Sequence, residues 1–280
     1  MTQNPNPLQA WFRRAAIYMR LPSQGQYWPE GSLDMPTNGE FPVLPMTALD
    51  EITYRTPDAL FNGQAVVDVV QSCLPNIRDA WLMPSTDLIS VLISIRIASY
   101  GQDMEIVSTC PKCNETQDYT LDLRQILDGL GQTDFSQSLS INDLEVFFAP
   151  MNYRQQTQIG MDQYETQRLI ANSQDAALTD DQKNQALNEA MKRISQATTR
   201  AMAFGIAGIR APSGFASEPE HIMEFLTQCD RRVYAAIRDH QVTLREAGEI
   251  KPVDITCSGC ENRYQQQIEL DLANFFAAAS

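Results

Sequence analysis

Two C-x-x-C motifs hold the residues of this sequence that are best suited to metal chemistry. Cys110 and Cys113 flank a Pro-Lys pair, and Cys257 and Cys260 flank a Ser-Gly pair. Each motif supplies two thiolates, whereas a structural zinc ion takes four tetrahedral ligands. We therefore predict that the two motifs meet in space and bind one structural Zn²⁺ through Cys110, Cys113, Cys257 and Cys260.

Other interpretations of these cysteines remain open from the sequence alone. A catalytic zinc site keeps one open position and usually includes histidine or carboxylate ligands. The two histidines, His221 and His240, lie in a helical region without ligand-like spacing to the motifs. A redox C-x-x-C would be a single motif at a helix N-terminus. A chain that holds no stable metal is the remaining alternative.

The rest of the sequence carries no recognisable catalytic signature. It has no phosphate-binding G-x-x-x-x-G-K-[ST] loop, no G-x-G-x-x-G after a strand and no G-x-S-x-G elbow. Carboxylates are numerous, but their spacing picks out no acid–base pair, which indicates a solvated acidic surface. Cys73 and Cys229 fall on apolar helix faces and are interpreted as core residues. We therefore expect a protein that is not an enzyme.

Net charge limits the partners that this chain is expected to bind. The 280 residues carry a formal charge of −14, and the isoelectric point is about 4.5. An acidic surface disfavours binding to nucleic acid and to anionic membranes. The N-terminus has no signal-peptide pattern, and no apolar run reaches the length of a membrane span. We therefore expect a cytosolic protein. Thiols stay reduced in the cytosol, so paired cysteines there are interpreted as metal ligands rather than as disulfides.

Local patterns predict an α+β fold, predominantly α-helical, with a small β zinc-ribbon subdomain formed by the two distant C-x-x-C knuckles. Runs typical of strands flank both motifs, at residues 104–109, 116–123, 253–256 and 263–272, and a further strand is predicted at 144–149. Helical patterns occupy 48–101 and 152–248. Thr179 with Gln182, and Ser217 with Glu220, match the capping-box pattern.

The sequence divides into five predicted parts. They are an N-terminal extension (1–46), an N-terminal helical part (47–103), the first zinc-knuckle hairpin with a strand (104–150), a helical insert (151–250), and the second zinc-knuckle hairpin with a tail (251–280). The extension is rich in proline and aromatic residues and is expected to dock on a partner or on the core. The end of the tail, at 277–280, is expected to fray. The two motifs are separated by 143 residues. Loop-closure entropy grows only logarithmically with length, so a metal ion can still join them.

Several short segments, in order, resemble a known family. They are PVLPMT at 42–47, LFNG at 60–63, CLPNI at 73–77, ASYG at 98–101, the motifs CPKC at 110–113 and CSGC at 257–260, and FF at 275–276. In this combination the chain resembles the baseplate hub and tail assembly proteins of T-even-like contractile-tailed bacteriophages. The longer N-terminus, residues 1–41, departs from the family pattern.

This resemblance implies a non-enzymatic tail protein that acts in baseplate hub assembly or remains as a hub component. Its partners would be other tail and hub proteins, with the tape-measure protein among the candidates. It would reside in the host cytoplasm during assembly and, if it remains as a hub component, in the baseplate of the virion tail. Two alternatives remain: a zinc-ribbon module that binds nucleic acid, which the acidic residues near both motifs disfavour, and an enzyme of unrecognised type.

Overall fold

The chain folds around two hydrophobic cores joined by a long helical hairpin. The computed structural model describes residues 6–173, 179–268 and 275–276. The helices are α1 (Ala48–Tyr54), α2 (Pro57–Phe61), α3 (Gln64–Cys73), α4 (Ser85–Tyr100), α5 (Leu123–Gly129), α6 (Tyr153–Ser173), α7 (Asp180–Phe204), α8 (Pro219–Gln228) and α9 (Arg231–Ala247). The strands are β1 (Ile17–Met19), β2 (Phe41–Val43), β3 (Asp103–Thr109), β4 (Thr116–Asp122), β5 (Leu139–Ile141), β6 (Leu144–Phe148), β7 (Ile206–Ala211), β8 (Gly214–Ala216), β9 (Val253–Thr256) and β10 (Arg263–Gln266). The predicted α+β, predominantly helical class is confirmed.

The first core surrounds α4, which is buried nearly all round. Val91, Leu92, Ile93 and Ile95 are fully buried on this helix, and each buried aliphatic side chain contributes about 1.5–3 kcal/mol relative to an exposed one. Gly101 ends the helix at φ 93°, a conformation that favours glycine. Residues on nearly every side of this helix are buried, because it lies at the centre of the first core.

Part of the N-terminal segment also belongs to this first core. Strand β1 pairs antiparallel with β2, and Phe41 and Val43 of β2 are fully buried. The carboxylate of Asp87, in the first turn of α4, accepts hydrogen bonds from the backbone N–H of Ser23 (2.8 Å), from its hydroxyl (2.5 Å) and from the indole N–H of Trp28 (2.8 Å). One buried acid thus fastens the segment around residues 23–28 to the central helix.

The second core lies against a four-stranded antiparallel sheet in the order β5-β6-β7-β8. Val146 and Phe148 from β6 pack with Ile222 of α8 and Ile237 of α9. Strand β6 is the predicted strand at 144–149. Strands β7 and β8, in contrast, lie within 152–248, where only helix was predicted, so that prediction is wrong for residues 206–216.

Two local predictions in the long insert had different outcomes. The capping box at Thr179 and Gln182 is present at the start of α7. The one predicted at Ser217 and Glu220 is absent, because Pro219 takes the first helical position of α8 and Glu218 becomes the N-cap. Among the described residues, no helix has the length and apolar character needed to cross a membrane.

Two β-hairpins form the small third unit. Strands β3 and β4 pair over seven residues, from Asp103 with Asp122 to Thr109 with Thr116, and β9 pairs with β10. Beyond β10, Phe275 and Phe276 are buried in the first core, and Arg96 of α4 donates a hydrogen bond to the carbonyl of Phe275. Residues 269–274 of the predicted final strand and linker, and the tail at 277–280, lie outside the described residues.

Candidate metal centre

The four cysteine sulfurs of the two motifs lie together at the tips of the hairpins. All four Sγ atoms fall within 4.8 Å of one another. The Sγ atoms of Cys110 and Cys260 are 3.7 Å apart, and those of Cys113 and Cys257 are 3.6 Å apart. The structure thus brings together four residues that the sequence separates into two distant pairs.

The two motifs have the same backbone turn. In the first, the N–H of Cys110 donates to the carbonyl of Glu115, and the N–H of Asn114 donates to the carbonyl of Cys110, both at 2.9 Å. In the second, the Cys257 N–H donates to the Asn262 carbonyl, and the Glu261 N–H donates to the Cys257 carbonyl, again at 2.9 Å. This repeated geometry points both thiols of each motif to one side of its hairpin.

A left-handed residue sits at the same place in each turn. Asn114 has φ 58° and Glu261 has φ 55°, and each lies four residues after the first cysteine of its motif. Asparagine adopts this conformation more readily than most residues, whereas glutamate does so less often. The chain therefore accepts a small local strain at Glu261 to close the second turn.

Polar contacts hold the two hairpins side by side. The buried hydroxyl of Ser108 on β3 lies 2.9 Å from the Tyr264 hydroxyl and donates to Gln266 Oε1 at 2.7 Å. Nearer the thiols, Ser258 donates its hydroxyl proton to Gln117 Oε1 at 2.7 Å. These contacts cross between chain segments about 140–160 residues apart, so the hairpins are positioned by more than the thiols alone.

The sulfur geometry fits a metal ion rather than disulfides. A disulfide needs an S–S distance of about 2.05 Å, and all six cysteines of the chain are free. A tetrahedral ion with metal–sulfur bonds of about 2.3 Å has sulfurs about 3.8 Å apart, close to the distances observed here. Four protein thiolates fill a tetrahedral ion completely, so such a site offers no open position for substrate or water.

The thiols of the two motifs affect one another's ionisation. Burial acts to raise the pKa of Cys110, but the N–H groups of Cys113 and Lys112, with the neighbouring thiols, lower it to about 6. The Glu115 N–H acts to lower the pKa of Cys113. The contacts of the Cys113 thiol with Cys260 and the other two cysteines outweigh this and raise the pKa of Cys113 to about 12. Without a metal ion, four adjacent thiols do not all ionise together, because the thiolates repel one another. A bound cation offsets that repulsion.

The other residues singled out from the sequence lie elsewhere. Cys73 is buried in the first core, and its burial raises its pKa to about 12. Cys229, at the C-terminal end of α8, donates to the Leu226 carbonyl. His221 is exposed on α8, and His240 packs on Phe148 with ring centroids 4.6 Å apart. Within the described part of the chain, no other group of His, Cys, Asp or Glu side chains is arranged to hold a metal ion.

Three grooves on the surface of the described residues contain no free acid–base pair. One of about 170 Å³ contains Asp162 and Glu165, but Arg200 pairs with the first at 2.6 Å and Arg193 approaches the second at 3.8 Å. His221 lines another groove, of about 300 Å³, whose other lining residues include no Asp or Glu. A third, of about 410 Å³, is predominantly apolar.

Comparison with protein families gives one match to most of the chain. The family described as "T4 bacteriophage base plate protein" matches residues 20–277, which include both hairpins, the second core and all of the first core except strand β1. Comparisons with curated proteins and with solved structures found no match.

Proposed function

This chain belongs to the T4 bacteriophage base plate protein family, and on that basis we propose that it acts, without catalysis, in the baseplate hub. The proposed role is either a permanent hub component or a factor that assembles the hub, through contacts with other tail proteins. The tape-measure protein is one candidate partner. The family match over residues 20–277 is the observation that carries this proposal. The chain would meet its partners in the host cytoplasm before the tail is complete.

We also propose that the metal centre holds one Zn²⁺ in a purely structural role. Tetrahedral four-thiolate sites suit zinc or iron–sulfur chemistry, and the two C-x-x-C hairpins have the arrangement of a zinc ribbon. Closing the long loop between the hairpins adds only about 0.6 kcal/mol for each doubling of its length. Structural zinc in small peptides contributes about 10–16 kcal/mol at neutral pH, so the ion can hold these distant segments together.

A non-enzymatic role agrees with the chemistry of the described residues. The metal centre has no open coordination position, and the carboxylates in the surface grooves are paired with arginine or stand alone. A nucleic-acid-binding zinc ribbon is the weaker alternative, since Asp118, Asp254 and Glu261 lie on or next to the hairpins and would repel phosphate. A salt-sensitive gel shift of DNA at micromolar protein concentration would favour the nucleic-acid-binding alternative instead.

The proposed role predicts a defect in tail assembly when the chain is missing. Phage carrying a nonsense mutation in this gene should produce few or no complete baseplates, because the proposed hub contacts of the chain would be missing. Electron microscopy of lysates counts intact tails, and a plasmid copy of the gene should restore them. A tagged copy should also recover hub proteins from infected cells. Normal numbers of intact tails in lysates that lack the chain would contradict the proposal.

A further inference from the structure

The first residues of the described chain form an exposed apolar arm. This N-terminal arm, residues 6–14, contains one short helical turn at Gln9–Trp11. Trp11 is 84% exposed, Leu8 is 62% exposed and Phe12 is 57% exposed. Adjacent exposed aromatic and aliphatic side chains of this size mark interaction surfaces. The arm precedes residue 20, where the family match begins, so the family assigns it no role.

The arm is fixed at its root. The guanidinium of Arg13 donates to the Pro45 carbonyl at 2.8 Å and to the Asp50 carboxylate at 3.1 Å. It also donates to the carbonyl and the hydroxyl of Ser72, at 2.8 and 2.7 Å. Because these bonds hold the root against α1 and α3, the exposed residues lose less conformational entropy when they bind than a free tail would.

The arm differs in charge from the rest of the chain. The arm contains Arg13 and Arg14 and no acidic residue, whereas the rest of the chain holds all 35 acidic residues and 19 basic ones. Arg13 is already paired with Asp50. Arg14 is exposed and makes no ion pair among the described residues. A basic, aromatic arm fits an acidic surface with an apolar depression, since opposite potentials steer such contacts.

The second core presents such a surface. The groove of about 300 Å³ beside β7, β8 and α8 is lined by Ile209, Phe215 and Phe225, among others, and Phe215 remains more than half exposed. Helix α8 contributes His221, Ile222 and Phe225 to this groove, and Glu220 and Glu224 of the same helix are exposed, as is its N-cap Glu218. None of these three carboxylates forms a salt bridge within the described part of the chain.

We propose that the N-terminal arm of one copy docks in this groove of a second copy. Trp11 and Phe12 would enter the apolar groove, and Arg14 would pair with the glutamates of α8. The exposure of Trp11 shows that the arm does not occupy the groove of its own chain. Arm and groove are different surfaces, so two copies can exchange arms reciprocally in a two-fold dimer, or successive copies can link head to tail into a ring or an open chain. This inference goes beyond the hub role, and it can fail while that role holds.

Sedimentation velocity of the purified full-length chain, over a range of concentrations at low and physiological salt, tests the proposal. We expect self-association that weakens with salt, and a loss of at least about tenfold in affinity for Trp11→Ala, as for an aromatic anchor of an interface. Leu49→Ala is the matched control, because Leu49 is 71% exposed on α1 but lies outside the arm. This control should associate as the unmodified chain does.

A charge swap provides the sharper version of the experiment. Arg14→Glu alone and Glu220→Arg alone should each weaken self-association, and mixing the two variants should restore it, because each arm then faces a groove of opposite charge. A chain that is monomeric at all concentrations would overturn the proposal. So would association that is unchanged by both variants, or a swap that restores nothing. The proposal would also be overturned if the arm variants lost binding to a different tail protein but kept their self-association.

Discussion

Replacing Cys110 with serine is expected to abolish stoichiometric metal binding and to destabilise the protein by on the order of 4 kcal/mol or more, the range typical of losing a structural metal. Serine is a poor zinc ligand, and three thiolates do not complete a tetrahedral site. The buried contacts of Phe275 and Phe276 still attach the second hairpin to the first core, so we expect a weakened fold rather than an unfolded chain. Chemical denaturation with metal analysis of the same samples measures both effects.

The chelation response separates metal loss from altered packing. A strong chelator should lower the stability of the unmodified protein to about that of Cys110→Ser and should leave the variant unchanged. Cys229→Ser is the matched control, since this cysteine is only half-buried and lies outside the four-cysteine cluster. The control should keep its metal and its chelator sensitivity. Equal metal content in Cys110→Ser and the unmodified protein would contradict the assignment.

Replacing Asp87 with alanine is expected to cost about 3 kcal/mol or more and to release the segment around residues 23–28. The substitution leaves the N–H and hydroxyl of Ser23 and the indole N–H of Trp28 without their acceptor, and a buried donor without a partner costs about 1–3 kcal/mol. Limited proteolysis should then cut near these residues before the rest of the chain. Asp68→Ala, which removes an exposed carboxylate from α3, is the control and should change stability little.

The pH dependence of stability tests the burial of Asp87 in a second way, with the variant Asp87→Asn. Burial raises the pKa of Asp87, and the hydrogen bonds from Ser23 and Trp28 offset this only in part. A carboxyl whose pKa is raised by folding stabilises the fold most at low pH and loses that contribution as pH rises through the raised value. The cost of Asp87→Asn should therefore be smaller at neutral pH than near pH 4. A cost that grows with pH would contradict the burial argument.

The clustering of the four cysteines was largely predictable from residue type and spacing. Two C-x-x-C pairs that need four ligands have to meet, whatever the chain does between them. The contacts that position the hairpins were not predictable, since Ser108, Tyr264 and Gln117 are ordinary strand and loop residues in sequence. A polar residue facing inward on an alternating strand, as Ser108 does, was the only available signal.

The second core shows where local patterns fail. Strand β7 has six residues and β8 has three, and both lie between long helices, so their periodicity was hidden by stronger helical signals on either side. Gly205 after α7 and the Pro212-Ser213-Gly214 turn were the available signals. The pairing of β7 with β6 joins residues about 60 positions apart, which no local window detects.

The role of Asp87 was hidden for a related reason. An acidic residue in the first turn of a helix is commonly explained by the helix dipole. The partners of Asp87 lie more than 55 residues away in the sequence, so no local pattern indicates a second role. Burial converts the same carboxylate into an anchor for the N-terminal segment.

Metal content of the purified, full-length chain tests the central claim most directly. The two hairpins are interpreted as one zinc-binding unit that joins the chain segments on either side of the long insert. Inductively coupled plasma mass spectrometry, on protein expressed without affinity tags that bind metal, should find one zinc ion per chain. X-ray absorption should find four sulfur neighbours at about 2.3 Å. A stable, folded chain with no bound metal, or zinc held by fewer than four sulfurs, would contradict the account.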